Sequence, residues 1–293
     1  MKISLLVKNA YKNIPSISLV LISFSLITFI SCGKKEESSP DSGCTASSSI
    51  CTTPVSVTGI SSATAISGGH DHMCSLISGG TVKCWGDNYY GQLGNGSTTD
   101  SSSPVSASNI STATGINAGE EHTCAVLSDK TVKCWGKNQY GQLGNGSTTN
   151  SSTSVSVNNI STATAVTGGS SHTCALLDNS TIKCWGRVNY GQLGNGSSST
   201  SGSPVTVSNI TTATAITAGD DHTCALLDNN TVQCWGRGSS GRLGNGSNNN
   251  SNTPVIVSGI STASMIDAGE DFTCAVLSNK TVQCWGNGLL GNL

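Results

Sequence analysis

From about residue 54 to the end of the chain, apolar residues fall in short alternating runs separated by turn-forming residues, and no stretch has helical spacing. One stretch shows the pattern: Val155-Ser-Val157, Ala163 to Thr167, His172 to Leu177, and Thr181 to Trp185, followed by the turn-rich Gly191-Gln-Leu-Gly-Asn-Gly196. Each run is about 3 to 6 residues long, rich in Val, Ile, Thr and aromatics, and bounded by Gly, Asn, Asp or Ser, which predicts four strands. The leading 53 residues follow a different pattern, with an apolar stretch from Ile14 to Ile30 and then a Ser-rich tract.

The four-strand pattern recurs with a period of 50 residues, marked by Cys-x9-Cys-Trp-Gly at Cys74 and Cys84, Cys124 and Cys134, Cys174 and Cys184, Cys224 and Cys234, and Cys274 and Cys284. A fixed period of this size marks an array whose units bury a core only against their neighbours. Four strands per unit predict an all-β propeller of five four-stranded blades; a parallel β-helix is the alternative, although its coils are usually shorter and carry no hairpins. Length alone would allow two domains, but the repeat leaves one, residues 54–293, behind a leader.

In each hairpin the turn at Asp178-Asn-Ser180 and its equivalents sets Cys174 opposite Cys184, so the register brings the sulfurs together. Zinc ligation is the rival reading, but there is no close Cys-x2-Cys pair to support it. Stapling suits a thin apolar core, with aromatic residues at only 4%; each bridge adds about 2 to 3 kcal/mol in the chain-entropy model. Of the 13 cysteines, Cys44 and Cys51 are left as a sixth candidate pair and Cys32 stands alone. Pro54-Val-Ser-Val57 resembles the short strand that follows each hairpin and the fifth hairpin has none, so the two ends are expected to pair and close the ring.

Lys2, Lys8 and Lys12 before the apolar stretch, and Ser31-Cys32-Gly33 after it, form a signal-peptide pattern over residues 1–31. The stretch is short and serine-interrupted for a spanning helix, which usually needs roughly 20 apolar residues. Its end resembles the lipobox of bacterial lipoproteins, which implies lipidation of Cys32 and an address at the cell envelope, with the membrane reached through the lipid anchor. Residues 32–53 read as a flexible stalk. Net charge is −2 with 10% charged residues, so no basic face exists for nucleic acid.

The motifs Gly119 to Ala125, Cys134 to Gly136 and Tyr140 to Gly146 recur in all five copies with small changes, and with them residues 54–293 resemble the repeats of the regulator of chromosome condensation family. The resemblance implies a propeller, generally of seven blades where this chain has five. The cysteine pair is similar to the version common in exported bacterial members. The family's functions range from nucleotide exchange on a nuclear GTPase to protein inhibition, and an exported lipoprotein would not meet a nuclear GTPase.

Comparing the copies with one another separates scaffold from candidate function. Repeated Gly, Leu, Cys and Trp positions read as packing and turns. His72, His122, His172 and His222, replaced by Phe272 in the fifth copy, read as structural rather than as metal ligands. Asp71, Glu120, Glu121, Asp220, Asp221, Glu270 and Asp271 would form an acidic rim if their turns gather at one face, with Ser170 and Ser171 breaking the series. The positions that vary most carry Tyr89, Tyr90, Lys137, Tyr140, Arg187, Tyr190 and Arg237, residue types enriched at binding hot spots, on loops where recognition usually lives. The expectation is therefore a protein-binding module with no cofactor or metal; the competing class is a glycan hydrolase or lyase at the acidic rim.

Overall fold

The computed structural model describes residues 54–287; Cys32, Cys44, Cys51 and the leader lie outside the described residues. Among the described residues nineteen strands build five antiparallel sheets. Blade 1 contains β1 (Ala63–Gly68), β2 (His72–Ile77), β3 (Thr81–Gly86) and β4 (Ser101–Ser106). Blade 2 contains β5 (Ala113–Ala118), β6 (His122–Leu127), β7 (Val132–Gly136) and β8 (Ser151–Ser156). Blade 3 contains β9 (Ala163–Gly168), β10 (His172–Leu177), β11 (Ile182–Gly186) and β12 (Ser201–Thr206). Blade 4 contains β13 (Ala213–Ala218), β14 (His222–Leu227), β15 (Val232–Gly236) and β16 (Ser251–Ile256). Blade 5 contains β17 (Ala263–Ala268), β18 (Phe272–Leu277) and β19 (Val282–Gly286).

The hairpin register is the expected one. Cys74 faces Cys84 directly, as Cys124 faces Cys134, Cys174 faces Cys184, Cys224 faces Cys234 and Cys274 faces Cys284. All five pairs are bonded, with Cα atoms 4.0–4.1 Å apart. Four of the bridges lie in closed seams; the second cysteine of the fifth, Cys284, is only half-buried, whereas Cys234 and the other three equivalents are fully buried. Among the described residues the ring is not closed. Pro54 to Val57 forms no strand, β19 pairs only with β18 among the described residues, and β17 does not pack on β1 as the other inner strands pack on one another. Val282 on β19 is accordingly 59% exposed, where its counterparts Val82, Val132, Ile182 and Val232 are fully buried.

The core is distributed over the seams between blades. In the first seam Cys74, Leu76, Val82, Cys84 and Leu93 of blade 1 meet Ala125, Leu127 and Trp135 of blade 2, and three further seams repeat this composition. Trp135 Nε1 donates to the Gln92 carbonyl across the seam at 2.9 Å. Gly94 lies against the same indole: its φ is +73°, and a Cβ there would stand 2.7 Å from Nε1. The Gly-x-Leu-Gly motif thus makes room for the next blade's tryptophan.

The histidines cross the same seams. His72, His122, His172 and His222 place Nε2 2.8–2.9 Å from the hydroxyls of Thr123, Thr173, Thr223 and Thr273 in the following blade. Thr123 and Thr173 donate onward to the carbonyls of Gln92 and Gln142, so each hydroxyl accepts from the imidazole, which assigns the proton to Nε2 and leaves Nδ1 buried without a partner. Burial holds His122 and His172 down to a pKa of about 3, and His72 and His222 to about 4. These are neutral seam braces, each in a different seam. Phe272 stands at the position where, among the described residues, no following threonine faces it.

Candidate protein-binding face

In blades 1 to 4 the turn between the first two strands and the loop between the last two emerge at the same end, and in blade 5 the turn between β17 and β18 and the residue after β19 do so. A backbone hydrogen bond joins them: Asp87 N to Asp71 O, Lys137 N to Glu121 O, Arg187 N to Ser171 O, Arg237 N to Asp221 O and Asn287 N to Asp271 O, all 2.8–2.9 Å. The variable loops and the acidic turns therefore share one face. Nearer the axis a second belt of bonds links successive blades, His70 N to Glu120 O, Ser170 N to Asp220 O and Asp220 N to Glu270 O, each 3.0 Å. This belt gathers Glu120, Asp220 and Glu270, and burial reinforced by the two glutamates raises the Asp220 carboxyl to about 7. His70 is raised by its 2.7 Å hydrogen bond to Asp71. No group of three or more His, Cys, Asp or Glu is placed to hold a metal ion among the described residues.

All seven candidate recognition residues lie on this face, and six of them meet in pairs across blade boundaries. Lys137 sits over the Tyr90 ring at 4.8 Å, Arg187 over Tyr140 at 5.0 Å and Arg237 over Tyr190 at 4.9 Å. Two of the cations are also ion-paired, Lys137 with Glu121 and Arg237 with Asp221. Tyr89 packs edge-on against Tyr90 at 4.8 Å and is 72% exposed, so it projects furthest from the ladder.

The loops are held by buried polar side chains. Asn88 and Asn138 are fully buried; each donates Nδ2 to two carbonyls of its own loop and accepts a backbone N–H at Oδ1. Gln92, Gln142 and Gln192 accept the N–H of Tyr90, Tyr140 and Tyr190, fixing where each tyrosine starts. In blade 4 Arg242 replaces that glutamine and bonds Asp271 of blade 5 at 2.8 Å, and the loop forms one 3-10 turn at Ser239–Gly241. The sequence reading missed these anchors, as it missed the tyrosine–cation pairs, although the pairs leave a trace in a constant spacing of 47 residues from Tyr90 to Lys137, Tyr140 to Arg187 and Tyr190 to Arg237. An open cleft of about 380 Å³ lies between the blade 3 loop and β16, lined in part by Val188, Tyr190, Ser197 and Asn252.

Five blades, four of them four-stranded and the fifth three-stranded among the described residues, sealed by Trp–Gly seams and presenting one loop face, define the class: a β-propeller built from tandem repeats. The chain belongs to the RCC1-like domain family, whose model matches residues 25–275, and a model of the regulator of chromosome condensation (RCC1) repeat matches residues 266–291. Solved structures share the fold. Human WBSCR16 is 20% identical with a TM-score of 0.68, over 76% of this chain and 61% of that one. Prp20p from Saccharomyces cerevisiae, studied for binding to Gsp1p and histones, is 22% identical with a TM-score of 0.67, over 78% and 59%. Yeast RCC1 (Prp20) bound to Kap60 is 20% identical with a TM-score of 0.68, over 82% and 57%. The chain therefore spans about three fifths of the length of these structures. No curated protein matches it.

Proposed function

We propose that this chain is a protein-binding module that engages its partner with the face carrying the tyrosine–cation ladder. The observation that carries this reading is the convergence of Tyr89, Tyr90, Lys137, Tyr140, Arg187, Tyr190 and Arg237 on that one face. Aromatic rings and arginines held in place by their own scaffold lose little freedom on binding, which is what binding hot spots require. The test is to capture a partner with the oxidised chain, then measure its affinity for purified variants. Tyr140→Ala and Tyr190→Ala each weaken it about tenfold or more; unaltered affinity would remove the loops from the interface.

The module is further proposed to sit at the bacterial cell envelope, exported by residues 1–31 and anchored through lipid on Cys32, with residues 32–53 as the stalk. Five bonded cysteine pairs support export, because such bonds persist in oxidising compartments. Intact mass of the native protein decides it: acylation at Cys32 supports the anchor, and an unmodified Cys32 refutes it. The acidic mouth favours a second reading, acid–base chemistry on a glycan, since Asp220 titrates near neutrality beside Glu120 and Glu270. Turnover abolished by both Glu120→Gln and Asp220→Asn, with folding intact, would establish it.

A further inference from the structure

We infer that blade 3 is the recognition centre of this face, and that Arg187, seated on Tyr140, receives an Asp or Glu side chain presented by the protein partner. The inference rests on the protein-binding reading above. Its basis is a comparison of the two positions that each blade joins by the same backbone bond. Blade 2 pairs Glu121 with Lys137 and blade 4 pairs Asp221 with Arg237. Blade 5 has Asp271 with Asn287, and blade 1 has two carboxylates, Asp71 and Asp87. In blade 3 the cation is kept and the acid is not: Ser170 and Ser171 stand where the other copies carry carboxylates. Among the described residues Arg187 makes no ion pair.

The guanidinium is nevertheless positioned. Its central carbon lies 5.0 Å from the centre of the Tyr140 ring, and with the Asn189 amide oxygen turned toward it, Nε and Nη2 donate at 2.9 and 2.5 Å. A half-buried arginine fixed on two sides and lacking its counter-charge suits a carboxylate, which it recognises better than a lysine would. The ground beside it is altered in the same blade. The backbone N–H at this loop position donates to the side chain of Asp100 in blade 1, Asn150 in blade 2 and Asn250 in blade 4, tying the loop. In blade 3 the acceptor is replaced by Thr200 and the buried Asn side chain that holds the loop in blades 1 and 2 by Val188, and the cleft toward Asn250 and Asn252 of blade 4 opens there. Backbone carbonyls, amides and hydroxyls along that cleft suit an extended segment flanking the acidic residue.

Selection of displayed random peptides against the oxidised chain, followed by calorimetric affinities of the selected peptides, tests this. The expected peptides carry Asp or Glu at one required position. Its change to the amide, Arg187→Gln and Ser171→Asp each weaken binding about tenfold or more. Ser171→Asp gives Arg187 the partner its siblings have and retains the thermal midpoint, which separates lost recognition from lost folding. Lys130→Gln, in the turn between β6 and β7 at the opposite end of blade 2, leaves the affinity unchanged. Peptides that need Tyr89 or Tyr140 but no acid overturn the inference and leave the protein-binding reading standing; peptides indifferent to the whole face overturn both. Displacement by inorganic phosphate as effective as by a competing acidic peptide marks a small-anion site and overturns it too.

Discussion

Replacing His122 with phenylalanine, the residue that the fifth copy uses at this position, should reverse its effect on stability as the pH falls. The imidazole is buried and neutral, with a pKa of about 3 in the folded chain against about 6.5 when unfolded. Below about pH 6.5 the unfolded chain binds the extra proton, so folding stability is complete above that pH and is lost on acidification toward the folded value. At one pKa unit per 1.36 kcal/mol, His122 costs about 2 kcal/mol of stability at pH 5 relative to pH 8. The four seam histidines together cost about 8 kcal/mol there, set against about 1 to 2 kcal/mol returned by protonation of Asp220, discounted for its partial exposure. His122→Phe forfeits the hydrogen bond to Thr173, about 1 kcal/mol, and removes the titration. Gly119 leaves the ring its space, as Gly269 does for Phe272. The variant is therefore less stable than the parent at pH 8, equal near pH 6, and more stable by about 1 kcal/mol at pH 5. Urea midpoints across this range, with disulfides intact, measure it. Parallel stability curves without a crossing would refute the neutral-brace assignment.

Opening the Cys174–Cys184 bridge by a double change to Ala should cost about 3 kcal/mol in the chain-entropy model, read as a lower denaturation midpoint; no loss would mean that the seam does not need the staple. Asp220→Asn should raise stability above pH 7 and not below pH 4, because the buried carboxyl resists ionisation; equal gains at both pH values would assign the effect to shape. Gly144→Ala places a Cβ 2.7 Å from Trp185 Nε1 at a φ of +71° and should cost about 2 kcal/mol or more with a red-shifted tryptophan emission. Lys137→Gln, on the partly buried ladder, should cost about 1 kcal/mol; a loss as large as that of Gly144→Ala would show that the face is structural.

The blade plan was legible because it is written in the chain five times. Strand count, hairpin register and the facing of each cysteine pair, from Cys74 with Cys84 to Cys224 with Cys234 and Cys274 with Cys284, all follow from alternation and turn residues close in sequence. Closure of the ring was not legible: Pro54 to Val57 reads like the outer strands, yet whether it pairs depends on where the fifth blade ends up, which local pattern does not encode. The recognition residues were found as variable positions, but their partners were hidden because each lies 47 residues away in the next blade. The histidines were legible as structural from the Phe272 replacement, while their threonine acceptors, 51 residues on, were not.

Where the energy resides explains why variation gathers where it does. Each seam joins a tryptophan, fully buried in the first three and partly in the fourth, a bonded cysteine pair and a neutral histidine to glycine backbone of the neighbouring blade, and a change there leaves a clash, a cavity or an unpaired polar group worth several kcal/mol. On the loop face, by contrast, the pairs are partly exposed ions and rings whose loss costs little. Blade 3 can therefore exchange its acidic turn for Ser170 and Ser171 and its buried loop asparagine for Val188 while keeping the Trp185, Leu193 and Cys184 packing buried like that of its siblings. A propeller built this way can alter the chemistry of one blade's loops without altering the blade, so the difference among its copies, rather than what they share, points to what the face binds.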